Sequence, residues 1–359
     1  MAEMSPPPPQ DYRPSKGFRR EVMDAVTPRA SILLLGVLVL ELAFIVSYIG
    51  AFHSPKPSRV PIAVVAPAGA QAALVGKLNA LPGHPLSARS ADSVGQARAM
   101  VLDRSVEAAL VVGPAVGADR LLVATAGGPA GATALQLVFQ KADGPRRVVV
   151  TDLRAPNPAD GRGLSSFYLV VGVIIGGYLA SAALAMSFGA RPANQHRTLV
   201  RLGALAGLSV LSGLGAAIIA DLVFDALPRH FWTLWWIAVL ITFATAAAGM
   251  AFQVLLGPIG IALSVLIFVV LGNPSAGGVY PASLMPPFWR DIGPALPNGA
   301  GVTLVRNYSY FGGHDTATAW WVLAAWAVGG VLVGVLASLR RQAKFGVMGP
   351  PRAEEGTVG

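Results

Sequence analysis

The amino-acid sequence predicts an α-helical integral membrane protein with about six transmembrane helices and an extracytoplasmic α/β domain between the first and the second. Three observations carry this. Of the 359 residues, 54% are hydrophobic and only 13% are charged, against about 25% charged in soluble domains. The charges are segregated: from Phe231 to Trp289 there is no Asp, Glu, Lys or Arg, whereas Phe52 to Arg162 is rich in both signs. Apolar runs suited to a hydrocarbon core of ~30 Å recur along the chain, with basic residues gathered at alternate ends.

The elements follow in order. Residues 1–30 form a cytoplasmic tail whose first half is Pro-rich, a composition that does not fold. In Gly17 to Thr27, Phe18, Val22, Ala25 and Val26 share one helical face, while Arg19, Arg20 and Asp24 lie elsewhere. This predicts a short amphipathic helix on the inner membrane surface. Residues 31–51 are the first transmembrane helix. The run exceeds the ~7–15 residues of a signal-peptide core and contains Glu41, so it reads as a retained anchor. Residues 52–163 alternate Val/Leu-rich strands with helical stretches in the order β-α-β-α-β-β-α-β, a small α/β sandwich with helices on one face. Residues 164–340 hold five further apolar segments: Phe167 to Phe188, Leu202 to Phe224, Phe231 to Leu255, Ile259 to Leu271 after the Gly257-Pro258 break, and Ala317 to Leu339. Residues 272–316 are a Gly/Pro/aromatic loop, too apolar for a free loop and too broken for a simple span. It reads as re-entrant or lying in the outer interface, anchored by Phe288 and Trp289. Residues 341–359 form a second tail.

Basic residues set the orientation. Lys16, Arg19, Arg20 and Arg29 precede the first span, Arg191, Arg197 and Arg201 separate the second and third, and Arg340, Arg341 and Lys344 follow the sixth. With six spans all three clusters fall on one side, which is then cytoplasmic, as are both termini. All seven Trp map to the opposite ends, where the headgroup interface favours them. The expected location is the bacterial plasma membrane, with the lipid bilayer as solvent.

Chemistry-bearing patterns are sparse. Glu41 near the middle of the first span is costly, by ~2.5–3.5 kcal/mol on insertion scales. It is read either as a functional acid facing the bundle or as a protonated group hydrogen-bonded to a neighbour. Small-xxx-small pairs recur at Gly172/Gly176, Gly177/Ser181, Gly203/Gly207, Ser209/Gly213 and Gly330/Gly334, as close helix packing requires. The chain lacks a phosphate-binding G-x-x-x-x-G-K-[ST] loop, a G-x-S-x-G elbow, paired His at metal spacing and any cysteine. The expectation is therefore no enzyme activity, metal or cofactor in this chain. The net charge of +9 sits at span ends and in the aqueous segment, not as a nucleic-acid-binding face.

One stretch is more specific: Gly272-Asn273-Pro274-Ser275-Ala276-Gly277-Gly278, then Tyr280-Pro281, Phe288-Trp289-Arg290 and Leu296-Pro297, with Arg306-Asn307 and Tyr310-Phe311-Gly312-Gly313 beyond. With the plan of one span, a domain and five spans, it resembles the membrane subunit of type-2 ABC transporters, in particular the YhgE/Pip-like (phage-infection-protein-like) permeases. The compact domain departs from the much longer one of many members. The resemblance implies a homodimeric half-transporter whose basic loop (Arg191, Arg197, Arg201) and amphipathic helix face a cytoplasmic ATPase subunit. It implies an ABC-type exporter of a lipid-like, peptide or drug-like substrate. The alternatives are a non-transporting envelope receptor or scaffold, and a proton-coupled exporter using Glu41.

Overall fold

A computed structural model describes residues 27–113, 119–142, 148–190, 192, 195–227 and 230–346. The expected amphipathic helix at 17–27 and most of both tails lie outside the described residues. The described residues are mostly helical, with one small sheet. Among the described residues, five helices are long and apolar enough to cross a membrane.

The first, α1 (Pro28–Phe52), opens on Thr27, whose side chain accepts the Ala30 N–H, with Pro28 in the first turn where no N–H is needed. It leads into the α/β domain. The strands are β1 (Val60–Val65), β2 (Leu86–Ser90), β3 (Ala108–Val111), β4 (Asp119–Val123) and β5 (Val148–Asp152). The helices are α2 (Ala68–Asn79), α3 (Val94–Leu102, capped by Ser93) and α4 (Pro129–Ala142). The element order is the one the sequence predicts.

The sheet order is β2-β1-β3-β4-β5, parallel except where β4 runs antiparallel to β3. The expectation of helices on one face is corrected. Val60, Ile62, Val64, Leu110, Leu121 and Val123 meet Leu78 of α2 and Leu135 and Phe139 of α4 on one face. Ala63, Ala109, Val111 and Leu122 meet Ala97 and Val101 of α3 on the other. Crossover handedness explains the split. The β1-α2-β2 connection steps one way along the sheet and β2-α3-β3 steps back, so two right-handed crossovers must use opposite faces. The β4-α4-β5 connection reverses both strand direction and step, which returns α4 to the face of α2.

After the domain come α5 (Ser165–Phe188), α6 (Gln195–Ala217, continued by a π-turn over Ile218–Val223) and α7 (Phe231–Leu256). A shorter helix, α8 (Ile259–Ser275), includes a π-turn over Leu266–Leu271. Then come α9 (Pro287–Ile292), α10 (Pro297–Tyr310) and α11 (Ala317–Gly346). The expected fifth segment, ending at Leu271, and the expected loop from 272 are both corrected, because helix continues through Asn273 and Pro274 to Ser275.

The bundle is organised on α7. Two thirds of its apolar window (67%) is buried, against 39% for α5, 28% for α6 and α11, and 6% for α1. Three of the five small-residue pairs face it. A Cβ on Gly177 would lie 2.1 Å from Thr245 Oγ1, one on Gly213 2.9 Å from the Trp235 carbonyl oxygen, and one on Gly330 2.6 Å from the Ala247 carbonyl carbon. Gly203 and Gly207 of α6 meet nothing within 4 Å. Gly330→Ala forces α7 and α11 apart and should destabilise by about 1–3 kcal/mol. Gly203→Ala should be neutral or stabilise by up to about 1 kcal/mol through helix propensity. Unfolding midpoints in detergent compare the two; equal losses would contradict this packing.

The proline in α8 determines how α1 is held. Pro274 has no N–H, which frees the carbonyl of the residue four before it, Val270. The Ser47 hydroxyl of α1 donates to that carbonyl. Ser47→Ala would leave a buried acceptor unpaired, an expected loss of about 1–3 kcal/mol. Crosslinking between cysteines introduced in α1 and α8 would show whether contact loosens, and an unchanged yield and midpoint would contradict the role of Ser47.

Candidate functional site

The segment from Ala276 to Thr316 is seated between the domain and the helices. The Lys56 and Ser58 N–H groups donate to the Leu284 and Ser283 carbonyls (3.1 and 2.9 Å). Tyr310 donates to Asp160 Oδ2 (2.7 Å), whose other oxygen accepts from the Ser165 N–H and hydroxyl. Asn157 donates to the Asp225 carbonyl (2.8 Å). Helix α10 is inserted among α5, α7 and α8: a Cβ on Gly301 would touch Ile241 and Val170. The irregular backbone of this segment finds its partners within the protein.

The motif residues hold this seam together. Asn273 is buried and accepts from Asn298, which also donates to the Phe268 carbonyl inside the α8 π-turn (2.8 and 2.9 Å). Tyr280 packs on Phe52 of α1 at 5.8 Å between ring centroids. Pro281 rests against Gly128 and Gly131 of the domain. Arg290 pairs with Asp291 and reaches Ser58. The two expected interface anchors part company. Phe288 is exposed, but Trp289 is buried against Gly50 and Ala51 of α1, so packing and not the headgroup layer fixes it. Trp235, Trp320 and Trp326 likewise donate to Val210, Tyr308 and Ala295, which leaves Trp232, Trp236 and Trp321 as the widely exposed ones.

A cavity of about 280 Å³ lies in the seam, lined among others by Arg104, Glu107, Gly127, Thr303, Arg306 and Asp315. Arg104 follows α3 with a left-handed backbone (φ 67°), and its guanidinium lies over the Phe311 ring at 4.8 Å. Arg306 of α10 is 6% exposed and donates to the Gly277 and Gly278 carbonyls (2.9 and 3.3 Å). Burial pushes the Glu107 carboxyl above the ordinary carboxylate range, against the opposing pull of a Ser283 hydrogen bond (2.9 Å) and the Arg104 charge. Burial also lowers the Arg104 guanidinium, and the Glu107 and Asp315 charges oppose this.

A second recess of about 650 Å³ lies between α5 and α6. Gly172, Gly215 and Ala216 form its floor, and Tyr168, Ile219 and Phe224, all exposed, rim it. The absence of side chains at Gly172 and Gly215 and the widened π-turn over Ile218–Val223 shape this apolar groove.

The remaining predicted residues are scattered. Glu41 is exposed on the face of α1 that the bundle leaves uncovered; Ser47 and Ala51 mark the covered face. Arg191 lies outside the described residues. Arg197 is exposed, whereas Arg201 is buried and donates to the Phe188 carbonyl at the end of α5 (3.0 Å). Sequence reasoning missed Arg104, Glu107 and Asn298. An Asn within an apolar, Gly/Pro-rich stretch was the only available signal for Asn298, and nothing local distinguishes Arg104 from other domain arginines.

No family model matches the chain, and no match is found among curated proteins or solved structures.

The raised Glu107 pKa has a definite sign. A group whose folded-state pKa exceeds its unfolded value contributes fully below about pH 4, the ordinary glutamate range, and the contribution is lost as pH rises through the raised value. Glu107→Gln removes this component. Its unfolding midpoint relative to the wild type should therefore be higher at pH 8 than at pH 4 in calorimetry. A difference independent of pH would contradict the assignment.

Proposed function

We propose that the chain is the membrane permease subunit of an ABC-type exporter that moves a lipid-like substrate, with a separate cytoplasmic ATPase. The observation that carries this is the apolar groove between α5 and α6. It is open at the bundle surface, large enough for a hydrocarbon chain, and ends beside the domain at Ala159 and Ser165. A groove open sideways serves a substrate that arrives through the bilayer and not through water. The short helix α8, ~25 Å long at 1.5 Å per residue, supplies a sixth crossing in this reading. It joins the far end of α7 to the seam beside the domain. The basic clusters then put both termini in the cytoplasm and the domain outside. Two copies would complete the transporter, with Arg197 among the exposed residues facing the ATPase.

The reading is tested in two steps. Purification of the tagged protein in mild detergent should bring down a stoichiometric ATPase. ATP-driven movement of a fluorescent lipid from the outer to the inner leaflet of inverted vesicles should then fall at least tenfold in Gly172→Leu or Gly215→Leu, which fill the groove where a Cβ meets nothing within 4 Å and so leave the fold intact. A clean homo-oligomer without an ATPase would favour the receptor or scaffold reading. Export that survives groove filling but stops in Glu41→Gln would favour proton coupling.

A further inference from the structure

We infer that the cavity between Arg104 and Arg306 is a binding site for a phosphate group. The argument is one of unmatched donors. A guanidinium carries five N–H groups and no acceptor. Arg306 spends two on the Gly277 and Gly278 carbonyls, and its buried Nε has no partner. Among the described residues the Arg104 guanidinium donates to no acceptor and makes no ion pair within 4.0 Å; the Phe311 ring braces it, and the Glu107 and Asp315 charges act on it from a greater distance. The two charges oppose each other across the cavity.

The nearby carboxylates act on the two arginines by charge, while their hydrogen bonds come from other groups. Glu107 accepts from Ser283, and Asp160 accepts from Ser165 and Tyr310. Asp315 is exposed at the rim. None of these carboxylates accepts a hydrogen bond from either guanidinium, so N–H groups stay unmatched on two forks carried by different parts of the fold. A carboxylate has two oxygens and is saturated by one fork, whereas a tetrahedral phosphate presents oxygens to both. The space, about 280 Å³, exceeds the ~30 Å³ of a single water many times over. Gly127 keeps it open, since a Cβ there would lie 2.3 Å from Arg104 Nη1.

The phosphate could be a soluble anion or the headgroup of an anionic lipid, and the test separates them. The full chain in uncharged detergent is titrated with radiolabelled inorganic phosphate, with chloride at matched ionic strength as control. In parallel, native mass spectrometry counts phosphatidylglycerol retained from mixed micelles. Saturable phosphate binding that weakens about tenfold or more in Arg104→Gln and Gly127→Ala, and less in Arg104→Lys, supports a soluble ligand. Retained phosphatidylglycerol with the same dependence, but no phosphate binding, supports a lipid headgroup. If the wild type binds neither, or binding is unchanged in the Arg104 variants that elute as folded protein, the site is overturned. The readout is binding in detergent, so it stands or falls separately from export.

Discussion

Close approach to one helix is the constraint on which the arrangement depends. In a bilayer no water is expelled when apolar helices meet, so contact must come from backbone proximity and side-chain fit. Here α5, α6 and α11 each bring a glycine against the backbone or short side chains of α7. The stretch of α7 facing α5 and α11 is correspondingly small, from Ala244 to Gly249, while Gly213 of α6 meets it at Trp235 and Val239. Hydroxyls that would be unpaired at such contacts turn back on their own helix: Thr242 and Thr245 donate to Ala238 and Ile241. The helix at the centre is thus held largely by shape, supplemented by Trp235, which donates to the Val210 carbonyl of α6, and Gln253, which donates to Ser181 of α5.

That seam joins two ways of building a core. The α3 face of the sheet runs into the same apolar cluster as α5, α7 and α10, so the domain is continuous with the bundle and not hung from it by linkers. Where the cluster gives way to charge, at Arg104, Glu107, Asp160 and Arg306, burial is accompanied by hydrogen bonds at each carboxylate but not at every guanidinium. Such an imbalance is tolerated where a ligand or water completes it.

Periodicity made much of this legible in the sequence. The strand and helix order of the domain, the long helices and the break at Gly257-Pro258 all follow from local pattern. The face of each domain helix did not, because it depends on the direction in which the chain steps along the sheet. The course of residues 272–275 was misjudged for a related reason. A proline in an apolar run signals a loop when read alone, and only Ser47, 223 residues away in Val270's hydrogen bond, makes helix tolerable there. Of the motif residues, Asn273, Tyr280, Pro281, Trp289 and Arg290 lie in the seam, but the arginine that faces them from the domain carries no sequence mark. Glu41 and Arg201, conspicuous as charges, turn out exposed and carbonyl-bound respectively.

The attachment of α1 has a mechanical consequence. Its contacts are confined to the end bearing Ser47, Gly50 and Ala51, while Ile32 to Val39 stand largely uncovered. It is a lever fixed at one end, with its free arm immersed in whatever surrounds the bundle. In a bilayer, membrane thickness would set the tilt of that arm, and the fulcrum lies beside Trp289 and Tyr280. Stretching or thinning of the membrane would therefore be felt first at the seam, as torque on the residues that join domain to bundle.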